Sequence, residues 1–560
     1  MDLVFVRIRR FAVHPALWCA MAVALCVLAA RPRLEMGFWD DFSYISTARA
    51  MADTGRIVYN GWANPMLGWQ IYLGALFIKL FGFSFTAVRA SVLIVGMATA
   101  ALLQRLFVRL GVNEWNSTLA TLTLTVSPLF LPLSFSFMTD VPGFFAILIC
   151  LYGCIRAIQA TSDRAAIQWL IFAALSNAIG GTARQIAWLG VLVLVPSTAW
   201  VIRRRRGALV VATTLWIASA VFIAACMFWF KRQPYSVSEP LFARIHFRSH
   251  VYQAILLLLL PILIAFAAHY PIKERWAQIQ AGAVILVVVG LAGLSFAIWP
   301  MQFHSLFHFV LAPFSDEEVT TKGFDIKGFP GDQPDVLSMP LRVILTLLTY
   351  SAFFALSLSV INASRLEPRP DIDAERPLPD QVILTILAPF TTCYFLLLVT
   401  RADVFERYFI PVLFVLLVFL LRFYQAQIKP RLPLLSVAFV MLFAAYGVVT
   451  LHDVMAAGRA RLDAADTLRA AGVTRGEIRG GFEYDGWTQI ELAGHLAPKR
   501  RWLSLPPCVA WWDSDTPAIR GRYQLAYSPW CFPESEFQPV EYDTWLPPHR
   551  RKIYILRRSE

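Results

Sequence analysis

Long apolar runs separated by short polar joints make up most of the chain. A helix needs about 20 apolar residues to cross the hydrocarbon core of a bilayer. Thirteen runs approach that length: 11–30, 86–104, 116–135, 141–160, 165–181, 186–202, 207–230, 251–268, 278–299, 341–361, 381–400, 408–424 and 432–451. The pattern predicts a polytopic α-helical membrane protein with about thirteen transmembrane helices. Beyond residue 451 the pattern changes. Residues 454–473 place Val454, Leu462, Ala465 and Leu468 on one side of a predicted amphipathic helix. The run Glu477-Ile478-Arg479, the turn Gly480-Gly481 and the strand-like Lys552–Leu556 follow it. The expected organisation is a transmembrane module, 1–451, with a first outer loop at 31–85, and a small soluble α/β domain, 452–560.

Thirteen spans place the two ends of the chain on opposite sides. Cytoplasmic loops of membrane proteins are enriched in Lys and Arg. With the N-terminus inside, every short inside joint is basic, as at Arg105 and Arg109, at Arg203 to Arg206, and at Arg422, Lys429 and Arg431. The outside joints include 136–140, with no Lys or Arg, and 182–185, with one. The expectation is a bacterial inner-membrane protein with a cytoplasmic N-terminus and a periplasmic C-terminus. The first run ends at Arg31-Pro32-Arg33 without a clear small-residue cleavage site, and reads as an uncleaved helix.

Composition agrees. Of 560 residues, 58% are hydrophobic and only 16% charged, against about 25% charged in soluble domains. The net charge of +13 follows from basic inside loops, so no nucleic-acid partner is expected. Six of the eight cysteines fall in apolar spans; Cys508 and Cys531 fall in the polar C-terminal part and are able to pair if that part is extracytoplasmic.

The candidate chemistry gathers on the outer face. Asp40 and Asp41 follow the first span, crowded by Trp39, Phe42 and Tyr44. Partial burial of a carboxylate makes it a better proton acceptor at neutral pH; a solvated loop start is the plain alternative. Tyr44–Ala52 reads as a surface helix ended by Asp53-Thr54-Gly55. Asp140, with Thr139, is either a cap for the helix from Val141 or a second acid of the site. Arg184 and Arg407 stand at one membrane level and offer planar donor forks suited to phosphate; snorkelling to the interface is the alternative for Arg184. Lys231 and Arg232 are a further outward basic point. His304 and His308 have i, i+4 spacing but no acidic third ligand close by. The segment Gly480–Trp487 mixes glycines, aromatics and acids, which suits either a sugar contact or a turn.

Asp40-Asp41, Tyr44, Asp53-Thr54-Gly55 and Asn64-Pro65-Met66 together resemble the first outer loop of the GT-C glycosyltransferases, notably the protein O-mannosyltransferases and the lipid A aminoarabinose transferases (glycosyltransferase families 39 and 83). Asp140, the run Arg407-Tyr408 to Pro411 and the overall topology extend the resemblance over most of 1–450. It implies transfer of a sugar from a polyprenyl-phosphate carrier to a lipid, glycan or protein acceptor at the outer face, with inversion. Asp40 takes the place of the general base and Asp41 that of the family's Glu; Arg184 and Arg407 would bind the donor phosphate. A divalent metal is compatible with the resemblance, and no nucleotide cofactor is expected. The competing reading is a transporter or flippase of lipid-linked saccharides. Such proteins place ionisable groups at mid-membrane depth and often show internal repeats.

Overall fold

A computed structural model describes residues 14–62, 67–238, 249–270, 311–314, 318–324, 328–363, 378–401, 404–497, 510–529 and 531–558. The expected span 278–299, His304 and His308, Asn64-Pro65-Met66 and Cys508 lie outside the described residues.

The chain is helical through its first three-quarters. The helices are α1 (Pro15–Ala29), α2 (Asp41–Thr54), α3 (Trp69–Phe81), α4 (Phe85–Arg109), α5 (Glu114–Thr125), α6 (Phe130–Ser134), α7 (Asp140–Gln159), α8 (Asp163–Gly180), α9 (Val195–Val201), α10 (Arg206–Lys231), α11 (Ser249–Leu258) and α12 (Leu260–His269). A short hairpin, β1 (Val319–Thr320) and β2 (Gly323–Phe324), precedes α13 (Met339–Ala363), α14 (Asp380–Val399), α15 (Ile410–Gln427) and α16 (Leu434–Ala470). The chain ends with β3 (Ile478–Arg479), α17 (Phe482–Ala493), β4 (Tyr523–Ala526), β5 (Val540–Trp545) and β6 (Pro548–Arg557).

Local chemistry accounts for many of the boundaries. Pro15 opens α1 behind an N-capping His14, whose Nδ1 accepts from the Ala16 amide at 3.1 Å. Gly55, at φ 71°, closes α2 in the left-handed conformation. The predicted helix is therefore present and slightly longer than 44–52, and most of its residues are buried. Helix α3, in contrast, was hidden inside what reads as loop.

Among the described residues, seven helices are long and apolar enough to cross a membrane, or eight if α11 and α12, bent by 65°, count as one span. The thirteen-span count is not established by these lengths. Run 116–135 breaks at Val126–Leu129 into α5 and α6. Runs 11–30 and 186–202 give shorter apolar helices. The last span and the amphipathic helix predicted after it are a single 37-residue helix, α16. At 1.5 Å per residue it extends about 55 Å, well beyond a ~30 Å hydrocarbon core.

The C-terminal half of α16 carries the C-terminal sheet, ordered β3-β4-β6-β5, with β3 parallel to β4 and the other pairs antiparallel. The Lys552–Leu556 strand lies within β6. Ala460, Ala464 and Leu468 of α16 share a core with Tyr523, Leu525, Ile553 and Ile555 of the sheet, and with Leu34, Met36 and Phe38 from the start of the first loop. This shared burial fixes the Asp40 segment between the helical bundle and the sheet. The Glu35 carboxylate adds a tether by accepting from the Phe85 and Thr86 amides at the start of α4, at 2.9 and 3.3 Å.

Candidate active site

Asp40 and Asp41 adjoin in sequence and part company in space. Asp41 is fully buried and its acceptor sites are taken. Arg89 Nε donates to Oδ2 at 2.7 Å and Arg89 Nη2 to Oδ1 at 3.1 Å. The Phe38 amide donates to Oδ1 at 2.7 Å and the Phe137 amide to Oδ2 at 3.3 Å. Arg89 spends its other donors on the Leu34 and Met36 carbonyls, at 2.8 and 2.5 Å. A carboxylate so engaged has no room for an acceptor hydroxyl. It ties the first loop to α4 and to the turn before α7.

Asp40 is only partly buried. It occupies the N-cap position of α2 and makes no capping hydrogen bond, although aspartate there ordinarily does. Its Oδ1 instead accepts from Trp62 Nε1 at 2.7 Å. The preceding Trp39 holds φ at 54°, a conformation that costs a bulky residue about 1–3 kcal/mol and tends to cluster at functional positions. Trp39 is kept there by stacking on Phe38, with ring centroids 4.3 Å apart.

Asp140 sits in the first turn of α7, and neither it nor Thr139 caps that helix through its side chain. Both Asp140 oxygens are buried without a directed hydrogen bond. They face two guanidinium groups: Arg184 Nη1 at 2.8 Å and Arg407 Nε at 3.8 Å. Arg184 enters from the irregular stretch after α8, which Asn177 braces by donating to the Ala146 and Ala187 carbonyls and accepting from the Val191 amide. Arg184 also donates to Thr139 Oγ1 at 3.0 Å and lies over the Tyr408 ring at 4.7 Å. Arg407 pairs with the buried Glu318, at the foot of the β1–β2 hairpin.

These groups converge. Tyr44 lies within electrostatic range of Asp40, Arg184, Asp140 and Tyr408, and its burial raises the phenol above its ordinary range. Asp40 is also within range of Arg407. A small cavity is lined by Asp140, Arg184, Tyr394 and Arg407 on its polar side, and by Phe144, Ile147, Ile410 and Pro411 on its apolar side. Among the described residues no three His, Cys, Asp or Glu side chains gather at metal-binding distance. Asp140 faces two guanidiniums, whose planar donor forks suit a phosphate oxyanion.

Of the residues singled out in the sequence, Asp40, Asp140, Arg184 and Arg407 come together. Lys231 and Arg232 stand apart at the end of α10, Arg232 over the Phe228 ring at 3.7 Å. The segment Gly480–Trp487 is no free sugar contact. Most of it is the start of α17, with Phe482 packed edge-on against Phe42 and the buried Glu483 paired with Arg461 at 3.0 Å. Sequence reasoning missed Arg89, Glu318 and Trp62. Arg89 did carry a signal: a charge one turn inside a predicted span calls for a buried partner. Glu318 and Trp62 had none, since their partners are distant in sequence. Cys531 is disulfide-bonded.

Residues 64–230 match the family described as dolichyl-phosphate-mannose-protein mannosyltransferase. Among curated proteins, none matches the chain. Among solved structures, the chain is similar to ArnT from Cupriavidus metallidurans bound to undecaprenyl phosphate, with 11% identity, 96% of each chain covered and a TM-score of 0.38. It is also similar to the oligosaccharyltransferase AglB from Archaeoglobus fulgidus in complex with an inhibitory peptide and a dolichol-phosphate, with 16% identity, 90% of this chain and 63% of that one covered, and a TM-score of 0.41. The S. cerevisiae protein O-mannosyltransferase Pmt1-Pmt2 complex bound to the sugar donor matches over 37% of this chain and 32% of that one, at 16% identity and a TM-score of 0.28. The resemblance to GT-C glycosyltransferases that the first-loop motif suggested is thus supported by the family match over residues 64–230.

Proposed function

We propose that the chain is an inverting membrane glycosyltransferase that moves a sugar from a polyprenyl-phosphate donor to a hydroxyl acceptor at the periplasmic face. The observation that carries this reading is the pair of arginines, Arg184 and Arg407, on one partly apolar cavity, with the incompletely engaged acid Asp40 within electrostatic range of Arg407. The apolar wall suits an isoprenoid chain and the guanidinium forks suit its phosphate.

In this reading Asp40 accepts the proton of the acceptor hydroxyl. The acceptor oxygen forms its bond to the anomeric carbon as the bond from that carbon to the phosphate oxygen breaks. Attack on the face opposite the leaving group inverts the anomeric configuration. Negative charge grows on the departing lipid phosphate, where Arg184 and Arg407 stabilise it in a largely water-free setting. Asp140 holds the two guanidiniums toward the cavity, and Glu318 anchors Arg407 from behind. The donor already carries a good leaving group, so one base suffices where glycoside hydrolases need two carboxylates. Asp41 is then a positioning residue that sets the Asp40 backbone through Arg89.

The direct test is Asp40→Asn, assayed with a polyprenyl-phosphate sugar donor and purified protein. Loss of a general base lowers the rate about 10²–10⁴-fold, and the apparent melting temperature stays near wild type because Asp40 is only partly buried. A variant that transfers sugar at the wild-type rate would falsify the assignment.

A further inference from the structure

A second cavity lies between the β1–β2 hairpin, α16 and the C-terminal sheet. Its wall includes Lys322, Thr450, Tyr542, Thr544 and Arg551. None of these belongs to the cleft around Asp140. Two of the guanidinium nitrogens of Arg551, Nε and Nη2, are buried and meet no hydrogen-bond acceptor; the guanidinium also hydrogen-bonds to the Tyr542 hydroxyl. Arg89 and Arg461 behave differently. Each spends its buried donors on a carboxylate and on backbone carbonyls. The cavity does have a carboxylate, Asp453, but it is occupied. Its oxygens accept from the Trp545 and Leu546 amides at 2.7 and 3.0 Å and face His452 at 2.9 Å. The hydroxyls of Thr450 and Thr544 are likewise directed to backbone carbonyls. What the cavity offers a ligand is an ammonium and the guanidinium donors that the Tyr542 hydroxyl does not take.

Buried donors without acceptors cost about 1–3 kcal/mol each, more when charged. A bound anion removes that cost, and a tetrahedral oxyanion matches an arginine fork with a lysine beside it. We infer that this cavity is an anion subsite for a phosphate group, held by Arg551 and Lys322 and separate from the cleft of Arg184 and Arg407. The inference does not depend on the transferase reading. The phosphate belongs either to a lipid headgroup or to a soluble molecule, and the two sources are separable by experiment.

The test uses the full chain in nanodiscs of neutral phosphatidylcholine, with thermal unfolding followed as inorganic phosphate is titrated against chloride at matched ionic strength. The R184Q/R407Q background removes the cleft's own guanidiniums. In that background phosphate still raises the melting temperature saturably, and adding K322Q and R551Q weakens the apparent affinity at least tenfold. Should Arg551→Gln prevent folding, Lys322→Gln alone still weakens phosphate binding severalfold, and Arg551→Lys retains part of it. The inference is overturned if phosphate acts no differently from chloride, or if its effect survives loss of both Lys322 and Arg551. In nanodiscs containing phosphatidylglycerol, disappearance of the phosphate response assigns the subsite to a lipid headgroup; an unchanged response assigns it to a soluble phosphate.

Discussion

Two aspartate–arginine pairings lie near each other in this molecule and are built on opposite principles. In the Asp41–Arg89 pair, each carboxylate oxygen accepts two hydrogen bonds, and the guanidinium spends its remaining donors on backbone carbonyls. Both side chains are 0% exposed. In the Asp140 arrangement, the carboxylate faces Arg184 and Arg407 without one directed hydrogen bond, and Arg184 keeps 16% of its side chain exposed beside a cavity. The first pairing closes a structure; the second leaves charge available for something that is not protein. Both place a buried aspartate against arginine. On the proposed mechanism, the completeness of hydrogen bonding separates the structural pairing from the chemical one.

The largest effect should come from breaking the closed pair. Removing one partner of a buried ion pair costs about 3–5 kcal/mol, because the other charge is stranded. Arg89→Met is therefore expected to lower the apparent melting temperature strongly and to reduce yield. Asp41→Leu combined with Arg89→Met should recover much of that loss, since a matched apolar pair strands nothing. Thermal unfolding in detergent checks both variants. If Arg89→Met is as stable as wild type, Asp41 is not held as described.

The open pairing should respond in the other currency. On the proposed mechanism Arg407→Ala removes a cation aimed at the charge that develops on the leaving phosphate, which costs about 10²–10³-fold in rate, and it also lowers stability because Glu318 loses its partner. Arg184→Ala should act in the same direction and somewhat less, because that guanidinium is more exposed. Turnover measured alongside melting temperature separates the two pairings. A variant that loses stability and keeps its turnover would place Arg407 with Arg89 as a structural residue.

A third buried acid refines the contrast. Asp485 accepts from the Gly480 amide at 2.8 Å and from Trp512 Nε1 at 2.9 Å, with Arg479 3.6 Å away. Burial nevertheless pushes its carboxyl up from 3.8 to about 6, against the opposing pull of Arg479. A folded-state value above the unfolded one means that the unfolded chain releases this proton first. Asp485 thus costs nothing below pH 3.8, and its cost grows as pH rises to about 6 and is constant above that. At 1.36 kcal/mol per pH unit, the full cost is about 3 kcal/mol. Asp485→Asn should flatten the fall of melting temperature between pH 4 and pH 6. Its gain at neutral pH should be smaller than the full figure, because an amide matches only one of the two donors that the carboxylate accepts. An unaltered slope would mean that some other group titrates there.

The difference between the two pairings also explains what was legible in the chain. The apolar runs located most described helices, because periodicity and length are local properties. The helix 41–54 with its glycine stop was legible for the same reason. The breaks at 126–129 and 259, and the merging of the last span with the helix beyond it, depend on what the helices pack against, and adjacency conceals that. Asp40-Asp41 stood out as a pair of acids, yet nothing local says which of the two is consumed. That is decided by Arg89, Phe137 and Trp62, which lie 48, 96 and 22 residues away in sequence. Glu318 was invisible for the same reason, since its role exists only once Arg407 is folded against it.

The smallest predicted effect tests the contact that distinguishes Asp40 from its neighbour. Trp62 donates to Asp40 and packs against Phe482 and Trp511, with ring centroids 4.8 and 6.2 Å away. Trp62→Phe keeps an aromatic ring in that cluster and deletes the donor. A hydrogen bond to a charged group contributes about 1.5–3 kcal/mol, and part of it should be regained by water at so accessible a carboxylate. On the proposed mechanism the expected result is a fall in kcat of about tenfold, with little change in KM for the donor, whose phosphate that mechanism assigns to Arg184 and Arg407. Trp62→Ala also removes the packing between the first loop and α17, so it should lower the melting temperature as well. If Trp62→Phe changes donor KM and leaves kcat intact, Trp62 touches the donor and does not hold the base. The Asp40 carboxylate would then be oriented by the strained backbone at Trp39 alone.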